Sequence, residues 1–135
     1  MKKTTLFLAL IFSVILISCS SDSDNNSSSS IQINPPAWIQ GTWLLEISPG
    51  VDAGWRFTSN DFIIIQAGFE ISQRGQLETF LESGEDVSAN DESTDNTYTV
   101  TSNFLAGQTT IYSFTRISDT EISWDRVPNS IYTKQ

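Results

Sequence analysis

The side chains of this 135-residue chain that could do chemistry are few, and the missing types inform as much as the present ones. It has one cysteine, Cys19, and no histidine. Without imidazole there is no Ser-His-Asp triad, no Cys-His pair and no histidine-ligated metal centre. A Ser-Lys pair would depend on Lys134, the sole lysine after Lys3. The carboxylates Glu46, Asp52, Asp61, Glu70, Glu121 and Asp125 could supply the two acids of glycoside hydrolysis, but sixteen Asp and Glu residues bring such pairs together through composition alone. The acidic stretch from Glu85 to Asn96, EDVSANDESTDN, offers Asp86, Asp91, Glu92 and Asp95 as oxygen ligands for calcium. Their spacing is not that of an EF-hand loop, and a solvated, mobile surface loop is the simpler reading. The inventory points away from an enzyme and implies no cofactor and no metal, which leaves Cys19 as the residue with the most distinctive setting.

Cys19 sits in LISCSSDSDNN, directly after an apolar run and directly before a polar one. Met1-Lys2-Lys3 begins the chain, and the twelve residues Leu6 to Ile17 carry no charge and a single hydroxyl, Ser13. A basic start followed by an apolar stretch of about 7–15 residues is the pattern of a secretory signal, whereas a spanning helix needs roughly 18 or more. Leu16-Ile17-Ser18-Cys19 resembles the lipobox of bacterial lipoproteins. The resemblance implies a signal peptide over 1–18, cleavage before Cys19, acylation of its thiol and often of the new amine, and a membrane partner reached through that covalent lipid. It also explains a lone cysteine, because an exported chain stabilised by disulfides is expected to carry an even number. Two or three acyl chains, at about 0.8 kcal/mol per buried methylene, give a stable anchor without a spanning segment.

Residues 20 to 34 are almost wholly Ser, Asp and Asn, and Pro35-Pro36 closes them. Such a composition buries too little apolar area to offset chain entropy, so 19–36 reads as a flexible tether with an average reach of roughly 20–25 Å. Aspartates close behind the cysteine resemble the retention or surface-export signals of Gram-negative lipoproteins; either signal speaks against a soluble periplasmic product, and the expected location is the outer membrane or the cell surface. Once Lys2 and Lys3 are removed, five basic residues face sixteen acidic ones, a net charge of −11. Nucleic acid, which is bound by clustered Lys and Arg, is therefore not a partner.

The remaining segment, 37–135, is long enough for one domain with one core. Its apolar period is close to two. Trp43, Leu45 and Ile47 alternate before the turn Ser48-Pro49-Gly50; Trp55 and Phe57 alternate before Ser59-Asn60-Asp61; Phe62 to Ile65 form a short apolar run. Tyr98 to Phe104, Thr110 to Thr115, Glu121 to Asp125 and Ile131 to Thr133 continue the pattern. About seven strands with short turns imply an all-β antiparallel meander closing into a small barrel or sandwich. One stretch departs from it: Leu77, Phe80 and Leu81 have helical spacing, with Ser72 as N-cap and Gly84 as stop, so a short helix is expected across one end of the barrel.

Gly41-Thr42-Trp43 at the entrance to the first strand, followed by the meander and a late aromatic strand, is similar to lipocalins and to the lipocalin-like domains of bacterial lipoproteins. The resemblance spans Trp38 to Lys134 and implies that Trp43 closes the barrel floor beneath a basic residue, either Arg126 or Lys134. It implies a small apolar or aromatic ligand held by interior residues, with Trp43, Trp55, Phe57, Tyr112 and Trp124 as the candidates. Volume argues the other way, because a barrel of so few strands is only wide enough for its own side chains. The alternative is an interaction or structural module with a filled core and an unidentified protein partner. For Cys19 the expectation is direct: metabolic labelling with a fatty-acid analogue tags the wild-type protein, while Cys19→Ala is unlabelled and leaves the membrane fraction. Equal labelling of the two would remove the lipid anchor.

Overall fold

The computed structural model describes residues 30–135, so Cys19, the signal segment and most of the tether lie outside the described residues. Strands β1 (Gly41–Ser48), β2 (Val51–Phe57), β3 (Phe62–Gln66) and β4 (Phe69–Ser72) form an antiparallel meander. Helix α1 (Gln73–Glu82) follows, and then a second meander of β5 (Ser88–Ser93), β6 (Thr97–Asn103), β7 (Thr109–Arg116), β8 (Glu121–Trp124) and β9 (Ile131–Lys134). Because β9 pairs with β1, the two meanders make one nine-stranded sheet in the order β4-β3-β2-β1-β9-β8-β7-β6-β5. The sheet curls into a barrel that stops short of closure, since β4 and β5 do not pair.

The expected alternation sets the inner face. Trp43 lies opposite Trp55, Phe57 opposite Phe62, Tyr98 opposite Phe114, and Ile122 opposite Tyr132. Together with Ile33, Ile39, Leu77 and Val100 these make one continuous core. The β1–β2 contact is unusually close at Gly54, where a Cβ would stand 2.0 Å from the Trp43 carbonyl oxygen, so only glycine lets β2 press against β1 at that point.

Helix α1 begins and ends as its sequence dictates. The Ser72 hydroxyl accepts from the Gly75 N–H at 2.8 Å, and the Asp61 carboxylate accepts from the Arg74 N–H at 2.9 Å. At the other end Gly84 takes φ +83°, and the Gly84 and Glu85 N–H groups reach back to the carbonyls of Leu81 and Phe80, a Schellman stop. The helix does not lie across one end of the barrel. It runs along the open seam, from Asp61 at one end to a ring contact between Phe80 and Phe104, 6.3 Å apart, at the other.

Three expectations need correction. The sheet has nine strands where about seven were expected: Phe69–Ser72 and Ser88–Ser93 are added. The second lies inside the acidic stretch expected to be a loop, and pairs with β6 along its whole length from Ser88 opposite Asn103 to Ser93 opposite Tyr98. Val87 and Ala89 are buried, Asn90 and Glu92 face water, and Asp91, on the inner side, accepts from the Tyr98 hydroxyl at 3.0 Å. Acidic residues are poor strand formers, but a partner strand and two buried apolar neighbours outweigh that preference. The boundary at Pro36 also moves. Ile31 bridges Ala89 in parallel, Ile33 is fully buried and Pro35 is buried, so residues 30–36 belong to the packed domain. Arg74 holds this strap, with its guanidinium donating to the carbonyls of Ile31 and Ile33 at 3.3 and 3.2 Å.

At the closed end, the Trp43 indole N–H donates to the Ile39 carbonyl at 2.6 Å, and the Lys134 ammonium sits 5.0 Å from the Trp43 ring centroid. Arg126 is exposed in the β8–β9 turn and takes no part. Since Trp43 is fully enclosed, Trp43→Ala is expected to cost about 3–5 kcal/mol, measured as a lowered urea midpoint. A loss under about 1 kcal/mol would mean that the floor is not packed as described.

Candidate ligand-binding site

The strand pairings define two ends. Turns 58–61, 94–97 and 117–120 lie at the floor with Trp43; turns 48–51, 66–69, 103–109 and 125–130 lie at the other, open end. Core packing is complete from the floor to mid-barrel, where Phe57, Phe62, Tyr98, Phe114 and Ile122 are buried against one another. Toward the open end the interior is lined by aromatic rings but not filled. Trp55 is the hub there, 5.0 Å from Phe114, 5.1 Å from Trp124 and 5.7 Å from Tyr112, mostly edge-to-face. Trp124 and Tyr112 stack at 6.3 Å and 20°.

Above these rings is a cleft of about 290 Å³, lined by Trp55, Ile64, Tyr112, Trp124 and Tyr132. It adjoins a second cleft of about 380 Å³ over the seam, with Ile64 and Tyr112 common to both and Ile71, Gln73, Phe80 and Phe104 on its far wall. Both are half-open, at the lower end of the size range of small-molecule sites. A further depression of about 500 Å³ lies around Leu44, Arg56 and Glu70 on the outer side of β1–β4. It holds the Arg56–Glu70 ion pair beside Leu44, Val51 and Ile65, and no aromatic ring lines it.

The five residues expected from the sequence therefore divide. Trp55, Tyr112 and Trp124 come together at the cleft, whereas Trp43 belongs to the floor and Phe57 to the filled middle, so neither lines it. Sequence reasoning missed Ile64 and Tyr132, although both fall in the apolar runs that predicted strands. The carboxylates do not form a site. Asp91 is engaged by Tyr98 and the Asn34 N–H while Glu92 faces the opposite side, and among the described residues no three acidic or sulfur ligands gather as a metal would require. Asp61 is spent on Ser72 and Arg74, and Asp125 accepts from Ser113 and Thr115.

Three buried side-chain polar atoms among the described residues have no hydrogen-bond partner: the indole nitrogens of Trp55 and Trp124 and the hydroxyl of Ser102. Two of the three belong to cleft residues. The Trp55 N–H lies near the Tyr132 hydroxyl and would favour its phenolate, but not in hydrogen-bond geometry. Such orphan donors are uncommon in folded proteins and cost free energy unless something accepts from them.

Comparison of the chain with protein-family models, with curated proteins and with solved structures finds no match.

The tyrosines make a pH prediction. Burial pushes the hydroxyls of Tyr98, Tyr112 and Tyr132 above the usual value near 10. Asp91 adds to the shift at Tyr98, while Arg126 opposes it at Tyr112, and Trp55 and Ser130 oppose it at Tyr132. Each proton is held more tightly in the folded than in the unfolded chain. The stability linked to them is therefore complete below about pH 10 and is lost as pH rises above it. Urea midpoints measured from pH 8 to 11.5 should fall on the alkaline side, together with phenolate absorbance; a flat midpoint with free titration of all three would contradict their burial.

Proposed function

We propose that this protein is a lipid-anchored, non-catalytic component of the bacterial cell envelope that holds a small apolar ligand in the aromatic cleft at the open end of its barrel. The observation that carries the reading is an unfilled cleft of about 290 Å³ walled by Trp55, Ile64, Tyr112, Trp124 and Tyr132. A guest with a flat or aliphatic body would match the apolar rings that line the cleft. The lipobox-like Leu16-Ile17-Ser18-Cys19 supports the anchor, and Gly41-Thr42-Trp43 with Lys134 over the tryptophan supports a lipocalin-like ancestry. The outer membrane, facing either the periplasm or the exterior, is the location that the aspartates behind Cys19 favour.

One observation favours the second reading, a filled-core interaction module: the lower barrel is packed solid, so a ligand cannot enter as deeply as in a hollow barrel. The two readings separate at Trp124. If the cleft is a ligand site, a saturable apolar fluorophore quenches tryptophan emission, and Trp124→Ala weakens its binding at least tenfold, about 1.4 kcal/mol, while costing distinctly less stability than Trp43→Ala. No saturable binding by a panel of aromatic and acyl probes, with Trp124→Ala as destabilising as Trp43→Ala, would leave the interaction module.

A further inference from the structure

We infer that the open end of the barrel rests on the lipid bilayer, with the apolar boundary of the membrane as its occupant; this builds on the reading of Cys19 as the anchor. The path of the chain gives the first reason. The Ala89 N–H donates to the Ser30 carbonyl and the Gln32 N–H to the Ala89 carbonyl, at 3.0 and 2.8 Å, and the strap then runs beside β5 until the Trp38 indole reaches the Thr94 carbonyl at the floor. Ala89 is the second residue of β5, whose first, Ser88, pairs with Asn103 at the open end. The segment before Ser30 therefore joins the domain at the open end. Cys19 and Ser30 are eleven residues apart, at most about 40 Å when fully extended. Presenting the floor to the membrane would use roughly 25 Å of that on running back along the barrel.

The second reason is the distribution of exposed apolar side chains. Phe69, which opens β4 beside the β3–β4 turn, is 76% exposed, Ile47 beside the β1–β2 turn 56%, and Val127 in the β8–β9 turn 43%. The floor turns Thr58–Asp61, Thr94–Thr97 and Ser118–Thr120 are polar, with Ile117 as the sole large exposed apolar residue beside them among those described. Large rings and aliphatic chains at turn tips that surround an apolar cleft are suited to the headgroup–acyl boundary. Glu85, Asp86 and Asp125 lie at the same end. Attraction to anionic headgroups is thus not the driving term, and a zwitterionic surface suffices. In this pose the cleft opens onto the membrane, and an apolar guest passes between acyl chains and the Trp55–Tyr112–Trp124 wall without crossing water.

The test uses the full lipidated chain in phosphatidylcholine vesicles, where acylation leaves Cys19 unreactive, and a single introduced cysteine carries a fluorophore, in Val127→Cys at the open end or Ile117→Cys at the floor. Brominated acyl chains should quench the label at 127 at least threefold more than at 117, and Phe69→Ser in the Val127→Cys background should reduce that quenching by half or more. Equal quenching at the two positions, or stronger quenching at 117, overturns the pose. Vesicle flotation of the same samples separates the layers of the argument: a chain that floats but shows equal quenching defeats the pose alone, whereas one that fails to float removes the anchor and the pose with it.

Discussion

A curled sheet whose β4 and β5 never meet leaves two rows of backbone N–H and C=O groups without a strand partner, and most of the unusual features of the domain arise at that seam. Unpaired edges invite association with other chains and are normally shortened, charged or covered. Each device is present. Residues 30–32 bond to the β5 edge at Ala89, acidic side chains stand along β5, β4 is only four residues long, and α1 lies along the gap. Arg74 joins these parts, since its backbone is fixed by Asp61 at the helix start while its guanidinium holds the strap carbonyls. Without the strap, Ile33 would leave the core and Asp91 would lose one of its two donors.

The same seam grades the interior. At the floor, Trp38, Ile39, Trp43 and the two cations Arg116 and Lys134 close the barrel, each cation over an indole face. At the open end the barrel wall on the β4 side is short, so Ile71 and Phe69 face inward by register yet remain exposed. The rings of Trp55, Tyr112 and Trp124 pack against one another and border the cleft. One barrel is thus filled below and lined by rings above.

Much of the fold was legible. Alternating Trp, Phe, Tyr and Ile with Thr, Ser and Asp set the antiparallel meander and the inner faces of β1, β2, β6, β7 and β8, because a period of two admits one assignment of sides. Ser72 and Gly84 marked the ends of α1, since capping and a left-handed stop depend on the residues themselves. β5 was hidden because its residues, SANDES, have poor strand preference and its pairing energy comes from β6 and from the burial of Val87 and Ala89. β4 shows the converse, for Phe69-Glu70-Ile71-Ser72 alternates as a strand should, but four residues beside a helical pattern are too short to stand out.

By itself the sequence determined that no histidine is present to act, the resemblance of Cys19's setting to a lipidation signal, and the class of fold, all of which depend on residue type and local order. The tertiary structure decided which aromatic side chains share the cleft. Trp43 and Trp55 stand directly opposite each other in the β1–β2 register and look equivalent in sequence, yet one is sealed beneath Lys134 and the other forms part of the cleft wall. That difference comes from the curl of the sheet, the unpaired seam and the place where residues 30–36 pack, and these arise from contacts between segments far apart in the chain.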